Sequence, residues 1–144
     1  MKQNVLVTGA SGFIGKPLVY ALGDAGHNVL VLEGDITDAE IFKQLDSLDV
    51  DFVFHLAGRT FVPDSWDNPA DFERVNVSGT MSVLDFCRKR QIPLTYLSAY
   101  LYGAPKKLPI CETDEIVPNN PYALSKFMAE SACEFYAKHY LVPV

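Results

Sequence analysis

The chain has 144 residues, with 12 Lys and Arg against 18 Asp and Glu, a formal charge of −6 and 49% hydrophobic residues. That length suits one domain able to bury a core without staples, and the composition argues against disorder. The acidic balance argues against nucleic acid and anionic membrane surfaces, since both demand excess Lys and Arg, and no apolar run reaches the ~20 residues of a membrane span.

The predicted elements alternate along the chain. Asn4–Thr8 is a β-branched run ending in glycine and reads as a buried strand, followed by a helix over Gly12–Leu22. Val29–Leu32 is the second strand, entered through the helix stop Ala25-Gly26-His27-Asn28, and a short helix follows at Ala39–Leu48. Asp51–Ala57 is the third strand, Pro69–Arg90 a long helix and Leu94–Ser98 the fourth strand. Tyr102–Asn120 is a proline-bearing loop, and Pro121 opens a helix to about His139. Buried, non-alternating strands separated by helices predict a doubly wound, Rossmann-like parallel α/β sheet in three layers. The final Leu141-Val142-Pro143-Val144 reads as the opening of a further strand.

The start of the chain reaches a glycine turn after three apolar residues, whereas a secretory signal wants an apolar region of about 7–15 residues. The three cysteines, Cys87, Cys111 and Cys133, are far apart and odd in number. They predict neither a disulfide framework nor a zinc site, so a reduced, cytoplasmic chain is expected. His27, His55 and His139 have no second ligand at metal spacing, and no metal is predicted. His55 is read as packing beside a cofactor; Arg59, Thr60 and Trp66 follow the third strand in a loop and receive no role.

Both long helices are apolar on two faces. Phe72, Val75, Gly79, Val83 and Phe86 form one stripe with Val77, Met81 and Leu84 opposite; Leu124, Met128 and Phe135 oppose Tyr122, Ala129, Cys133 and Tyr136. A helix on a sheet buries one stripe, so the second predicts a homodimer through helices 69–90 and 121–139.

Thr8-Gly9-Ala10-Ser11-Gly12-Phe13-Ile14-Gly15 sets glycines three apart between the first strand and the first helix. Gly9 permits the tight turn, Gly12 lets a pyrophosphate approach the backbone and Gly15 lets the helix close on the strand. The helix start adds free N–H groups and partial positive charge. The run, with Ser11, Phe13 and Ile14, is therefore the expected dinucleotide cradle. The second strand ends at Glu33, with Asp35 two residues on. A carboxylate there accepts hydrogen bonds from the adenosine ribose and repels a 2′-phosphate. No Lys or Arg lies between Lys16 and Lys43, so NAD is predicted over NADP.

Tyr122 and Lys126 stand at i, i+4 and project from one face of the last helix. A phenol has an ordinary pKa of about 10; an ammonium one turn away favours its phenolate. Lys126 is also expected to hydrogen-bond the nicotinamide ribose, so Tyr122 and Lys126 count among the expected cofactor-binding residues as well. Ser98 closes the fourth strand, at the carboxyl end of a parallel sheet where ligands sit, and its hydroxyl is placed to polarise a substrate oxygen.

These residues resemble a known family. Gly9-Ala-Ser-Gly12-Phe-Ile-Gly15, His55-Leu-Ala-Gly58, Asn76-Val-Ser-Gly79-Thr80, Leu97-Ser98-Ala-Tyr-Leu-Tyr102-Gly103, Glu112 with Pro118, and Pro121-Tyr122-Ala-Leu-Ser125-Lys126 are similar to the extended short-chain dehydrogenase/reductases. Within these they resemble the NAD-dependent sugar epimerase/dehydratase group, over essentially the whole chain. The resemblance implies Tyr122 as catalytic acid or base, Lys126 as its partner and Ser98 as the hydroxyl that orients a nucleotide-sugar substrate. It places Asp35 and Ile36 beside the adenine and Leu56, Ala57 and Gly58 along the cofactor. It also implies hydride transfer between a sugar carbon and the nicotinamide.

Three departures shape the expectation. An extra helix and strand usual in the family are missing between Glu33 and the Gly34–Asp38 segment, so either Glu33 or Asp35 meets the ribose. The Asp-Glu pair of the dehydratase branch is Ala99-Tyr100 here, which leaves an epimerase or a 4-ketosugar reductase. The family's substrate-binding half follows the point where this chain ends. Residues 1–144 are therefore expected to be an NAD-binding domain truncated at its C-terminus, the alternative function being a non-catalytic, NAD-binding, dimerising fragment.

Overall fold

The computed structural model describes residues 1–144, the side chain of Ala39 aside. Its four strands, β1 (Asn4–Thr8), β2 (Asn28–Leu32), β3 (Phe52–His55) and β4 (Leu94–Tyr96), are parallel and ordered β2-β1-β3-β4. The chain leaves β1 towards β2 on one side and returns to β3 on the other. The order therefore reverses between β1 and β3, where open α/β sheets hold their ligands.

Register explains the layers. Leu6 pairs with Leu30 and Val53, and Val53 pairs with Leu94. This cross-strand row joins the core made by Val83, Leu84, Phe86 and Cys87 with Ile41, Phe42 and Cys133. Val5 and Val7, one residue out of phase, point to the opposite face and are equally buried. The helices are α1 (Gly15–Asp24), α2 (Ala39–Lys43), α3 (Val62–Asp67), α4 (Pro69–Phe72), α5 (Gly79–Arg90) and α6 (Pro121–Tyr140). A π-helical stretch, Glu73–Ser78, joins α4 to α5, so the helix expected over 69–90 is continuous but widens in its middle.

Several bounds differ from the sequence expectation for local reasons. The first helix starts at Gly15 because the Gly12 amide donates to Gly9 O at 3.0 Å, closing a turn first. The third and fourth strands stop early, at His55 and Tyr96, and the residues that follow, Leu56 to Gly58 and Leu97, line a cleft. The short α3 was not anticipated; Pro63 starts it and the Ser65 hydroxyl donates to Val62 O. The Asn120 side chain caps α6 by accepting from the Ala123 amide at 2.8 Å, with Pro121 in the first turn. The last residues form no strand, although Pro143 O accepts from the Leu94 amide at 2.8 Å and Val142 is buried. Leu84, expected on an outer stripe, is fully buried instead, because α5 packs against both the sheet and α6. No helix among the described residues is long and apolar enough to cross a membrane.

Candidate active site

At the carboxyl ends of β1 and β3 lies a cleft of about 410 Å³. It gathers Gly9, Ser11, Gly12, Phe13, Ile14, Gly15, Leu56, Ala57 and Gly58, nine of the expected cofactor residues, and adds Thr60 and Leu97. The cradle is made of backbone. Gly9 has φ +69°, and a Cβ there would stand 2.6 Å from the Ala57 nitrogen. A Cβ on Gly15 would strike Gly9 O and the Ala10 backbone. Gly12 is different: only Gly9 O comes near, at 3.2 Å, so its face is open to a ligand. No side chain caps α1 at Ile14; the Lys16 amide donates to Gly12 O at 3.1 Å and Pro17 has none, which leaves the Ile14 and Gly15 amides for an anion. A dinucleotide diphosphate fits this arrangement.

Beneath the cleft runs a buried polar chain that the sequence reading missed. Thr80 Oγ1 donates to Asn76 O at 2.6 Å, so it accepts from His55 Nε2–H at 2.9 Å. His55 Nδ1 then accepts from the Thr8 hydroxyl at 2.7 Å, and that hydroxyl accepts from the Ala57 amide. His55 is thus a neutral Nε2–H tautomer. Burial, with Lys126 close by, lowers its pKa to about 3. It lies under the cleft, tying β1, β3 and α5 together. Asn76 makes the next tie: its Oδ1 accepts from the Arg59 amide, and its Nδ2 donates to Arg59 O and to Ser125 Oγ on α6. Asn76 is buried within the wide turn, four residues after Phe72 and four before Thr80, both buried as well.

The segment after β2 separates its two carboxylates. Glu33 follows Leu32, which pairs with Thr8, so Glu33 stands beside the start of the glycine turn and is exposed. Asp35 is already engaged: it accepts from the Thr37 amide and hydroxyl and from Arg74 Nη1 at 3.0 Å. Those bonds, the Thr37 amide first, lower its pKa to about 2. Arg74 also pairs with Asp71, which in turn pairs with Arg59. Ile36 turns into the core against Gly79 rather than towards the cleft. The cation missing from the sequence near Asp35 thus arrives from the π-helical stretch, 39 residues away.

The second half of the site is built on α6 and the exit of β4. Tyr122 and Lys126 are both buried on the first turns of α6. Lys126 Nζ lies 4.2 Å from the Tyr96 ring centroid, and the Tyr96 hydroxyl donates to Lys126 O. Desolvation lowers the Lys126 pKa to about 8. Because that ammonium faces Tyr96, the expected lowering of the Tyr122 phenol is not seen: burial, then Tyr100, raises it. Ser98 is exposed beyond β4 and lines a groove with Tyr96, Glu130 and Cys133. Among the described residues no hydrogen bond links Ser98, Tyr122 and Lys126. Tyr96 touches Lys126 and Tyr100 touches Tyr122, with Ser98 between them in the sequence. Among the described residues no three His, Cys, Asp or Glu cluster as metal ligands.

The sheet order, the glycine cradle at the switch point and the uncapped helix define a Rossmann-like dinucleotide fold. Comparison with known proteins sharpens this. The NAD dependent epimerase/dehydratase family matches residues 5–144, and the chain belongs to that family. It is 37% identical to a UDP-glucose 4-epimerase of Azospirillum brasilense over 88% of this chain and 42% of that one. It is also 37% identical to a GDP-6-deoxy-D-mannose reductase of Pseudomonas aeruginosa, over 92% of this chain and 47% of that one. Among solved structures, UDP-glucose 4-epimerase from Brucella ovis in complex with NAD superposes with a TM-score of 0.89 at 32% identity, covering 97% of this chain and 49% of that one. RMD from Pseudomonas aeruginosa complexed with NADPH gives 0.83 at 35%, covering 95% and 50%. The chain thus spans about half the length of the relatives it matches.

Proposed function

We propose that residues 1–144 are the nicotinamide-cofactor domain of a nucleotide-sugar 4-epimerase or 4-ketosugar reductase, with NAD preferred. Two features support this reading: a backbone cradle shaped for a diphosphate at the ends of β1 and β3, and a buried Tyr122–Lys126 pair packed against rings of β4 and its exit. The cofactor, when bound, supplies the acceptor or donor of hydride at a sugar carbon. The amides around Gly12 and the start of α1 hold its diphosphate, with Ser11, Phe13 and Ile14 along the walls. Leu56, Ala57 and Gly58 pack beside it. Glu33, next to the glycine turn and exposed, accepts from the adenosine ribose, whereas Asp35 is held by Thr37 and Arg74 and supports the adenine side through its backbone, with Ile36.

Tyr122 moves the proton of the reacting sugar hydroxyl, Ser98 orients that oxygen, and Lys126 leaves the Tyr96 ring to reach the nicotinamide ribose. The test is incubation with UDP-glucose or UDP-galactose plus NAD, and with a 4-ketosugar nucleotide plus NADH, followed by product analysis. Tyr122→Phe is expected to lower turnover by about 10²–10⁴-fold with NAD affinity unchanged. Undiminished turnover in that variant, or NADP binding tighter than NAD, contradicts the reading. Cofactor binding with no turnover of any nucleotide sugar supports the second reading, a cofactor-binding fragment without catalysis.

The same reading includes a homodimer through helices 69–90 and 121–139. Met81, Leu124, Met128 and Phe135 expose between 39% and 52% of their surface along α5 and α6, an apolar stripe that a second copy would cover. Light scattering at micromolar concentration is expected to give twice the chain mass; a monomer contradicts it. The three free cysteines suit a reducing, cytoplasmic compartment.

A further inference from the structure

Beyond the end of β4 at Tyr96 the chain carries Ser98 and, two residues on, the ring of Tyr100. Its centroid lies 5.6 Å from that of Tyr122, with the planes at 64°. Tyr100 reaches that place through a left-handed backbone, φ +65°, which residues with a Cβ avoid. The surroundings hold it there. Leu101, the next residue, is buried, and its carbonyl accepts from the Val117 amide at 2.9 Å, pinning the turn. Such a strained residue beside a functional group persists only where neighbours over-determine it. On another side of Tyr122 lies Phe72 of α4, edge-on at 6.2 Å. The outcome is a contrast in exposure: Tyr122 is 6% exposed, while Tyr100, standing over it, is 62% exposed.

We propose that Tyr100 is a positioning residue for Tyr122, the solvent-side wall that keeps water from the acid–base phenol and holds its ring against Phe72. The assignment rests on the reading of Tyr122 given above. A surface ring with only a turn to fill would need neither the left-handed backbone nor contact with α6. The titratable groups facing Tyr122 are Tyr100 and Tyr96 from β4 and its exit; Lys126, one turn on in the same helix, is turned to the Tyr96 ring, and α4 contributes the uncharged Phe72. Removal of the wall admits water and relieves the desolvation of the phenolate.

Tyr100→Gly and Tyr100→Phe in the full chain test this. Glycine adopts φ +65° without strain, so Tyr100→Gly is expected to melt no lower than wild type. The readout is the titration of Tyr122, obtained from tyrosinate absorbance as the difference from Tyr122→Phe in the same background. Its midpoint is expected to fall by about one pH unit in Tyr100→Gly and to stay within about 0.3 in Tyr100→Phe. As a second measurement, tetranitromethane nitration mapped by mass spectrometry is expected to modify Tyr122 about tenfold faster in Tyr100→Gly, and at the wild-type rate in Tyr100→Phe. An unmoved midpoint and nitration rate in a folded Tyr100→Gly, or equal shifts in both variants, overturns the proposal. Neither measurement depends on turnover. If Tyr122→Phe keeps its sugar turnover while Tyr100→Gly still moves the titration, the functional reading has failed and the wall has not.

Discussion

At the glycine turn, shape is set by main chain: the φ of Gly9, the bond from the Gly12 amide to Gly9 O and the absence of a side-chain cap on α1. At α6, every feature is one side chain held by another: Lys126 over the Tyr96 ring, Tyr122 between Phe72 and Tyr100. A backbone cradle tolerates no added atom but needs no partner. A side-chain site tolerates change at its rim and depends on elements far apart in the chain. The two halves are joined underneath by the chain from Ala57 and Thr8 through His55 to Thr80, and by Asn76 reaching α6.

The sharpest way to break the backbone half is Gly9→Ala. Its Cβ meets the Ala57 nitrogen at 2.6 Å and the residue keeps a positive φ. A loss of about 3 kcal/mol or more in urea unfolding is expected, together with loss of NAD binding. A variant of near wild-type stability that still binds NAD would show that the cradle is not set by this contact.

A smaller effect is expected at the join. In the folded chain the His55 pKa is about 3, against 6.5 for a free imidazole. The unfolded chain therefore binds a proton that the native one refuses between those values. Stability should be complete above pH 6.5 and fall as pH drops towards 3, by up to about 1.4 kcal/mol per pH unit. In His55→Gln this part of the slope should vanish, at a cost of about 1–3 kcal/mol at neutral pH for the altered hydrogen bonds. Urea melts between pH 7 and about 4.5, above most carboxylate titration, measure both. Identical slopes in the two proteins would deny His55 its neutral, buried state.

The smallest effect belongs to the rim. Arg74 and Asp35 are each about half exposed, so Arg74→Ala should change stability by less than about 1 kcal/mol, and less still in high salt. The Asp35 pKa, followed by carboxyl NMR, should rise only part of the way from about 2 towards 3.8, since the Thr37 bonds are the larger cause. A full return to 3.8 would make Arg74 the main anchor of that carboxylate.

Much of the site was legible before the fold. The glycine spacing, the run Leu56-Ala57-Gly58 and the YxxxK pair depend on local geometry, and nine of the expected cofactor residues do line one cleft. Ile36 was harder to place: its side chain packs on Gly79, a contact between distant segments. The engagement of Asp35 by Arg74 was hidden for the same reason, as a search of neighbouring sequence finds no cation. Thr60 received no role, yet it stands in the cleft because the exit of β3 turns across the switch point. Asn76 stands at helical spacing from Phe72 and Thr80, but what it ties together, the Arg59 backbone and Ser125 on α6, depends on distant segments meeting. The outer stripe drawn through Leu84 failed because α5 has two buried sides, one on the sheet and one on α6.

What the sequence by itself determined is whatever follows from short spacing: parallel strands from their apolar runs, a phosphate cradle from glycines three apart, and Tyr122 and Lys126 on one helical face. What only the tertiary structure decided is which groups share an environment. It turned Lys126 onto Tyr96, buried His55 between two threonines, tied Asp35 to Arg74 and set Tyr100 over Tyr122. Backbone geometry is encoded over a few residues, whereas burial and pairing depend on where distant segments meet in space, and pKa values and proton positions follow from those meetings.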